Sequence, residues 1–285
     1  MGALKPMVKI YQKEQSLSFF KIIKESLQDI YASRFLSRQL AERDIKAQYR
    51  QSILGIFWAF VTPLATAFVW IFLRSSGTVE VTDTGIPYPL FAFTGTLLWS
   101  IIIESVNSPI TSTNSSKSIL SKINFPKEAL IISGAYKVLF NSLFKFLLLL
   151  VFLFYFGVGF HPTLLLFPIG IVIMVFVGNT IGLLITPIGM LYNDVAKAIK
   201  FGFQFLMYVT PVVFAIPAKE GIMKTIMEWN PFTPLILTVR GLGVGNIPAD
   251  LTYFWIVLGG CVPLFLIGLV FYRISIPIFV ERLSA

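Results

Sequence analysis

Six long uncharged stretches run along this chain, and short polar segments separate them. They occupy residues 53–73, 86–103, 146–160, 163–192, 201–218 and 251–272. A helix needs about 20 mostly apolar residues to cross a bilayer, and the third stretch reaches that length if it begins near Leu130. The pattern predicts an all-α membrane protein with six transmembrane helices.

Two helical patterns precede the first uncharged stretch. Apolar residues recur at helical spacing over residues 17–30, with charged residues on the opposite face. This predicts an N-terminal amphipathic helix that lies on the membrane surface. The segment 36–49 also has a helical pattern and places Arg43, Lys46 and Arg50 along one stripe. Because the stripe leads directly into the first span, we expect it at the membrane boundary.

The connections on the two sides of the membrane differ. Residues 107–128 are rich in serine, threonine and asparagine, and then place Ile119, Leu120 and Ile123 close together. We predict a short amphipathic helix there, capped by residues 114–116 and ended by Pro126; it is either a solvated connection or a docking surface. On the opposite side, residues 219–229 and 234–239 predict two short helices, typical of a lid or a re-entrant hairpin.

Composition and charge orient the chain. Of the 285 residues, 56% are hydrophobic and 13% are charged, against about 25% charged in soluble domains. Lysine and arginine concentrate in residues 1–52 and in the loops on the same side, which predicts cytoplasmic termini. The net charge of +9 then reflects topology and attraction to anionic membrane lipids, and we expect no nucleic-acid partner.

The sequence contains few of the residue patterns that are typical of enzymes. It has one histidine, one cysteine and no G-x-x-x-x-G-K-[ST] nucleotide loop, and it shows neither a metal-ligand cluster nor paired carboxylates. We therefore expect no catalytic residue, metal or cofactor in this chain. Glu104, Lys137 and Lys145 carry charge into the spans. They either snorkel toward the headgroups or line a conduit, with Glu104 paired to Lys137.

Aromatic residues are frequent in and beside the first span. Their rings either face lipid, as is usual near membrane interfaces, or line a path on which sugar rings stack. The candidates for such a path are Phe57, Trp58, Phe60, Phe68 and Trp70.

Several stretches together resemble a known family. They are "RDIKAQYRQSILGIFWAFVTPL" (43–64), "LSKINFPKEALIISGAY" (120–136), "LYNDVAKAIKFGFQFLMYVTPVVFAIP" (191–217), "EWNPFTPLILTVRGLGVG" (228–245) and the terminal "ERLSA". In this order they resemble the permeases of type 2 ABC exporters of polysaccharides, most closely the O-antigen and teichoic-acid export permeases. The resemblance covers nearly the whole chain.

The resemblance implies a homodimer in the bacterial cytoplasmic (inner) membrane, joined by two copies of a cytoplasmic subunit that binds ATP and magnesium. The substrate it implies is a lipid-linked glycan of O-antigen type, carried on undecaprenyl diphosphate. The whole chain then forms one permease domain, with cytoplasmic amphipathic helices at 1–52, a six-span bundle at 53–275 and a cytoplasmic tail at 276–285.

Three groups of site residues follow from the resemblance. The gate and lipid-headgroup site at the first span takes Arg43, Lys46, Tyr49, Arg50, Leu54 and Gly55. The helix that couples to the ATPase, about residues 115–122, and the segment after it take Lys117, Ile119, Leu120, Lys122, Phe125, Lys127 and Glu128. The short outer helices resemble an outer gate with Trp229, Asn230, Pro231 and Arg240.

Two departures from the family pattern bear on these assignments. Lys127 stands where the family often has arginine, so a fork-like bidentate contact is not expected there. Asn193 precedes Asp194 where the family commonly has arginine, so a salt bridge at that place needs another cation, for which Lys197 is the candidate.

Alternatives remain at this stage. The basic stripe either recruits the diphosphate headgroup or only sets orientation and binds lipid. The chain is either a polysaccharide exporter or a teichoic-acid or drug exporter of the same class. A stand-alone channel or secondary transporter, with ion coupling through Glu104 or Lys145, is the further alternative.

Overall fold

A computed structural model describes residues 18–50, 57–77, 84–120 and 122–284. Within these ranges the chain forms eleven α-helices and a short 3-10 turn at Pro162–Leu166, and contains no strand. The helices are α1 (Phe19–Ala32), α2 (Arg34–Arg50), α3 (Trp58–Ser75), α4 (Tyr88–Ser115), α5 (Lys117–Leu120), α6 (Glu128–Tyr155), α7 (Phe167–Leu191), α8 (Asn193–Leu206), α9 (Ile222–Trp229), α10 (Phe232–Val244) and α11 (Thr252–Ser284).

Four of the described helices are long and apolar enough to cross a membrane. They cover Tyr88–Ser115, Glu128–Tyr155, Pro162–Leu191 and Thr252–Phe279, while Pro63–Ser75 and Phe232–Val244 are apolar but shorter. The chain is therefore a multi-pass, all-α membrane protein. The count of six spans stays a prediction, because the first predicted span begins in residues outside the described ranges and the fifth is not one long helix.

The fifth uncharged stretch is not one continuous helix. Helix α8 ends at Leu206, and residues 207–214 form turns and bends. Pro211 lacks a backbone N–H and so does not donate to the carbonyl of residue 207, which agrees with a helix that has ended at Leu206. Hydropathy predicted residues 201–218 as one span because it measures apolar character and not helical continuity.

Helix α4 continues well past the predicted end of the second span. It runs to Ser115, so the segment that composition predicted as a loop from residue 107 is helical. The hydroxyl groups of Thr111, Ser112 and Thr113 donate to backbone carbonyls of the preceding turn, which lets polar residues stay in the helix. Helix α5 is correspondingly shorter than the predicted 115–122. Ser116 is both the C-cap of α4 and the residue directly before α5, and its carbonyl accepts from the Ile119 and Leu120 amides.

Helices α4 and α7 pack closely at the centre of the bundle. A Cβ atom at Gly178 would lie 2.4 Å from Ser105 Cβ, and one at Gly182 would lie 2.3 Å from Val106 O. These glycines therefore allow the two backbones to approach, and their spacing of four in the sequence is typical of close helix packing in membranes. The buried Ser108 hydroxyl donates to Asn179 Oδ1 at 3.0 Å and adds a polar contact between the same helices.

Helix α1 turns its acidic residues toward the bundle, while Lys21 and Lys24 are exposed. Glu25 and Asp29 lie within ion-pair distance of Arg273 on α11. On the other side of the helix, 79% of Phe20 and 70% of Tyr31 are exposed. An exposed apolar side on an amphipathic helix agrees with the predicted position at the membrane surface. We call the end of the bundle that carries α1, α2 and α5 the inner end, and the end with α9 and α10 the outer end.

Candidate functional site

At the inner end, the predicted gate and coupling helices belong to one apolar cluster. It contains Leu40 of α2, Leu120 of α5, and Ala129 and Leu130 at the start of α6. We call these four residues the inner cluster; all four are buried. Leu36, Ile119 and Phe125 pack around it. The predicted gate and coupling helices therefore share one close-packed cluster with the start of α6.

A polar contact lies beside the inner cluster. Arg43 pairs with Asp44 at 2.6 Å and donates through Nη2 to Ser116 Oγ at 3.0 Å. The Ser115 hydroxyl donates to Asp44 Oδ2 at 3.0 Å. The side chains of α2 thus hold the carboxyl end of α4, where the chain turns into α5.

The basic stripe on α2 is largely compensated. Besides the Arg43–Asp44 pair, Lys46 pairs with Glu42 at 2.7 Å, and its hydrogen bond and charge lower the pKa of the Glu42 carboxyl. Arg50 is exposed and has no carboxylate partner among the described residues. Of the three predicted headgroup residues, Arg50 alone therefore presents an uncompensated charge within the described structure.

The remaining gate residues are less fully described. The backbone of Tyr49 lies in α2, but its side chain is outside what the structure describes. Leu54 and Gly55 fall in residues 51–56, which lie outside the described ranges. Their predicted roles stay predictions.

The coupling residues divide into exposed and anchored side chains. Lys122 and Ile123 are exposed, whereas Lys117 lies over the Phe279 ring with Nζ 5.2 Å from its centroid. Lys127 donates to Phe125 O at 2.9 Å and to Asn124 Oδ1 at 3.1 Å. These are the contacts of a point charge, as expected for lysine at this position. Partial burial lowers the pKa of the Lys127 ammonium.

Glu128 is anchored most strongly. It is 1% exposed, and its Oε1 accepts from Arg273 Nη1 at 2.7 Å and from the Ser26 hydroxyl at 2.8 Å. The same Arg273 atom lies 2.7 Å from Asp29 Oδ2, and Nη2 lies 3.4 Å from Glu25 Oε2. We call Arg273 with these partners the Arg273 network; it joins α1, α6 and α11.

Sequence analysis missed the Arg273 network. A signal was present, because Glu25 and Asp29 are spaced by four on one helix face and Arg273 interrupts the last apolar run. A charge at that place in a span usually has a partner. Which carboxylates would meet it depends on the packing of three helices far apart in sequence.

At the outer end, two predicted gate residues stabilise the break after α8. Asn230 donates through Nδ2 to Val209 O at 2.9 Å and to Thr210 Oγ1 at 2.8 Å, while its Oδ1 accepts from the Phe232 amide at 3.0 Å. Arg240 donates to Val212 O at 2.6 Å. Carbonyl groups freed by a broken helix need such partners inside a membrane protein.

The other predicted outer-gate residues lie beside these. Pro231 occupies the N-cap of α10. Trp229 is exposed, and its carbonyl accepts a hydrogen bond from the Tyr253 hydroxyl at 2.6 Å. Helix α4 passes close to the Arg240 contact, because a Cβ atom at Gly95 would lie 1.9 Å from Val212 O.

Comparison with known proteins decides the family. The family model of the ABC-2 type transporter matches residues 36–242, more than half of the chain. The chain belongs to the ABC-2 type transporter family. The match begins in α2 and ends in α10, so it includes the predicted gate, coupling and outer-gate elements of this ABC-2 permease.

Curated relatives of this ABC-2 permease carry the name O-antigen export system permease protein RfbA. One from Klebsiella pneumoniae is 25% identical over 210 residues, which cover 71% of this chain and 78% of the relative. One from Myxococcus xanthus is 25% identical over 223 residues, which cover 76% and 83%. Family membership makes this chain a membrane subunit for transport and not an enzyme.

The predicted channel aromatics of this ABC-2 permease separate into two groups. Phe57, Trp58 and Phe68 are exposed on or next to α3. Phe60 packs edge-on against Phe144 of α6, with ring centroids 6.1 Å apart. Trp70 packs against Phe214 and Tyr208, with centroid distances of 4.9 and 6.1 Å. The structure does not join the five into one aromatic lining, and their channel role stays a prediction.

The charges within the spans pair differently from the prediction. Glu104 pairs with Lys145, whose Nζ lies 2.5 Å from Glu104 Oε1 and 2.9 Å from Ser100 Oγ. Glu104 therefore does not pair with Lys137, which the helical geometry of α6 places two turns before Lys145. The buried ammonium is compensated in this ABC-2 permease by the carboxylate of the neighbouring helix. At the start of α8, Lys197 lies 3.8 Å from Asp194, the contact expected there.

Proposed function

We propose that this chain is the membrane subunit of an ATP-driven exporter that moves a lipid-linked polysaccharide of O-antigen type across the bacterial cytoplasmic membrane. The observation that carries the proposal is the inner cluster, which connects α5 at the inner end with α2 at the start of the first span. An exporter driven by a separate ATPase needs such a mechanical connection.

The Arg273 network and the inner cluster meet at the start of α6. The Arg273 network holds α1, α6 and α11 together with charge-assisted hydrogen bonds. The inner cluster adds α5 and α2 to the start of α6, and the Arg43 and Asp44 contacts to Ser116 and Ser115 hold α2 to the turn before α5, so in our proposal these segments move as one body. Closure of the ATPase moves α5, and α2 then opens or closes the entrance.

The assembly contains a second copy of this chain and two copies of a cytoplasmic ATP-binding subunit, which carry ATP and Mg²⁺. The sequence has no P-loop of its own, so the nucleotide chemistry belongs to that partner. The exposed surface of α5 and the residues after it, with Lys122 and Ile123, is the predicted docking surface for it. Both termini face the cytoplasm in this proposal.

The substrate follows from the names of the relatives and from the chemistry of the entrance. Arg50 offers an uncompensated guanidinium next to the first span, where the diphosphate of an undecaprenyl-linked glycan lies at headgroup level. Arg43 acts in our proposal through its contact with α4 and not as a headgroup ligand, because Asp44 already compensates it.

Export of newly made glycan tests this function. In cells that lack the chain, we expect completed lipid-linked glycan to accumulate at the cytoplasmic face of the membrane and surface glycan to be lost. Lectin labelling of intact cells measures the surface glycan, and labelling of broken cells also measures the glycan inside. The chain and its ATPase together restore surface glycan, and a Walker-A lysine variant of the ATPase does not. Normal surface glycan without the chain would contradict the proposal.

The same assay separates the alternatives. If cells that lack the chain keep normal surface glycan but lose teichoic acid or drug resistance, the chain is a teichoic-acid or drug exporter. Transport by the purified chain in proteoliposomes without any ATPase would assign it to the channels or secondary transporters, for which the Glu104–Lys145 pair is the ionisable candidate.

A further inference from the structure

Arg240 is a buried cation without a carboxylate. It is 4% exposed, and its guanidinium lies over the Phe91 ring with Cζ 3.8 Å from the ring centroid. Nη2 donates to Val212 O, while Nε and Nη1 are buried and have no hydrogen-bond partner in the described structure. No aspartate or glutamate among the described residues forms an ion pair with it.

A pocket of about 200 Å³ adjoins this side chain at the outer end of the bundle. Its walls come from the segment before α4 and from α10 with the loop after it, and they are mostly apolar. The lining residues that matter here are Thr84, Phe91, Leu237, Arg240 and Asn246.

The buried guanidinium and the adjoining small pocket together indicate an anion-binding site. A buried charge that is neither paired nor fully hydrogen-bonded is strongly unfavourable, so proteins rarely keep one without a function. The guanidinium presents its N–H groups in a planar fork that matches the oxygens of a phosphate. The pocket has room for a small anion and not for a polymer.

We propose that this pocket is an oxyanion site that binds a phosphate group at the outer headgroup level, with Arg240 as its cationic ligand. The outer position rests on the predicted orientation. The link to export rests on the proposed function, under which the diphosphate of the exported lipid arrives at this level. The headgroups of ordinary phospholipids are a second source of the same chemistry.

Calorimetric titration of inorganic diphosphate into the full-length chain, purified in a phosphate-free maltoside detergent, tests the site. We expect saturable binding to the wild type. Arg240→Gln should weaken it by at least about tenfold, and Arg240→Lys by less, because lysine keeps the charge but loses the fork. Thr84→Trp should also weaken it, since this half-buried residue lines the pocket without belonging to the core.

Arg74 provides the matched control. It is another arginine at the outer end, lies over the Tyr88 ring with Cζ 4.5 Å from the centroid, and is exposed. Arg74→Gln should leave the affinity unchanged. The proposal is wrong if the wild type does not bind diphosphate. It is also wrong if the wild type, Arg240→Gln and Thr84→Trp bind it with equal affinity. If Arg240→Gln does not fold, the comparison of Thr84→Trp with the wild type still tests the site.

An internal carboxylate is the competing occupant. Glu80 and Asp83 precede Thr84 in the sequence and lie outside the described residues. The double variant Glu80→Gln, Asp83→Asn tests this. If the wild type binds no diphosphate but the double variant binds it through Arg240, then Arg240 pairs with a carboxylate of the chain itself and the proposal is wrong. Equal binding by that double variant and the wild type supports an open anion site.

The source of the phosphate is read by competition. If farnesyl diphosphate displaces inorganic diphosphate more strongly than phosphatidylglycerol does, the site binds a polyprenyl diphosphate. If phosphatidylglycerol is the stronger competitor, the site binds ordinary membrane lipid. The export assay compares cells with and without the chain, so its result does not depend on whether the Arg240 pocket binds an anion. The two proposals can therefore fail independently.

Discussion

Two arginines at opposite ends of the bundle show how surroundings set the role of one side-chain type. Arg273 meets Asp29 and Glu128, each at 2.7 Å, and further contacts Glu25 and Ser26. Arg240 meets one backbone carbonyl and an aromatic face, and two of its nitrogens have no hydrogen-bond partner among the residues that the structure describes. The first arrangement is complete and holds three helices together. The second is incomplete, which is typical of a site that awaits a ligand.

The comparison predicts a large loss of stability at the inner end. Arg273→Met leaves Glu128 buried without its cation, so we expect unfolding to become easier by about 3–5 kcal/mol. Thermal or denaturant unfolding of the purified chain in detergent measures this. Adding Glu128→Gln to the variant should recover much of the loss, because the uncompensated charge is gone. A loss equal in the single and double variants would contradict the role of charge.

The inner cluster should give a smaller loss of stability and a large loss of function. Leu40→Ala removes packing from a buried position and should cost about 2–3 kcal/mol, near the low end for buried leucines because the cluster is small. We expect the partner's ATP hydrolysis to continue while surface glycan falls. Leu27→Ala, at an exposed leucine of α1, is the matched control. Equal export by both variants would remove the inner cluster from the mechanism.

At the outer end, stability should change little. Arg240→Met leaves Val212 O without its donor and removes the contact with the Phe91 ring, but it also removes a buried charge that has no carboxylate partner among the described residues. We expect these opposing effects to offset to within about 1 kcal/mol. Anion binding should be lost in the same protein. A destabilisation as large as that of Arg273→Met would make Arg240 a structural residue and end the contrast between the two sites.

The smallest effect is expected on the surface of α2. The Lys46–Glu42 pair is exposed and screened by solvent, so Lys46→Gln should leave the free energy of unfolding nearly unchanged. Since Lys46 lowers the Glu42 pKa from 4.5, the contribution of the pair is present above that pH and is lost as the pH falls through the lowered value. Unfolding at pH 7 and pH 3 checks the sign. A strong loss of export in this variant would instead give Lys46 a headgroup role.

Local pattern predicted those elements whose formation depends on nearby residues. The amphipathic helix at 17–30, the basic helix at 36–49 and the two short outer helices all correspond to helices of the structure, with ends shifted by a few residues. Helical periodicity is a local property, so sequence alone reveals it. The close approach of α4 to Gly178 and Gly182 was likewise indicated by spacing.

Properties that depend on tertiary packing were not predictable in the same way. An uncharged run such as 201–218 indicates burial, but whether it spans or breaks depends on Asn230 and Arg240, which supply hydrogen bonds from another part of the chain. The pairing of Glu104 with Lys145 and not Lys137 depends on how α4 and α6 are set against each other. The roles of the predicted gate, coupling and channel residues stay predictions that the variants above address.

The central claim is that α2 and α5 move as one body during export. A disulfide between Asp44→Cys of α2 and Ser115→Cys at the turn into α5 tests it directly, because these two side chains are in contact at 3.0 Å. It is made in a Cys261→Ala background, since Cys261 is the single native cysteine. Our account predicts that surface glycan export is the same with the disulfide formed and reduced. Export that stops on oxidation and returns on reduction would show that the two helices must separate, and would contradict the account.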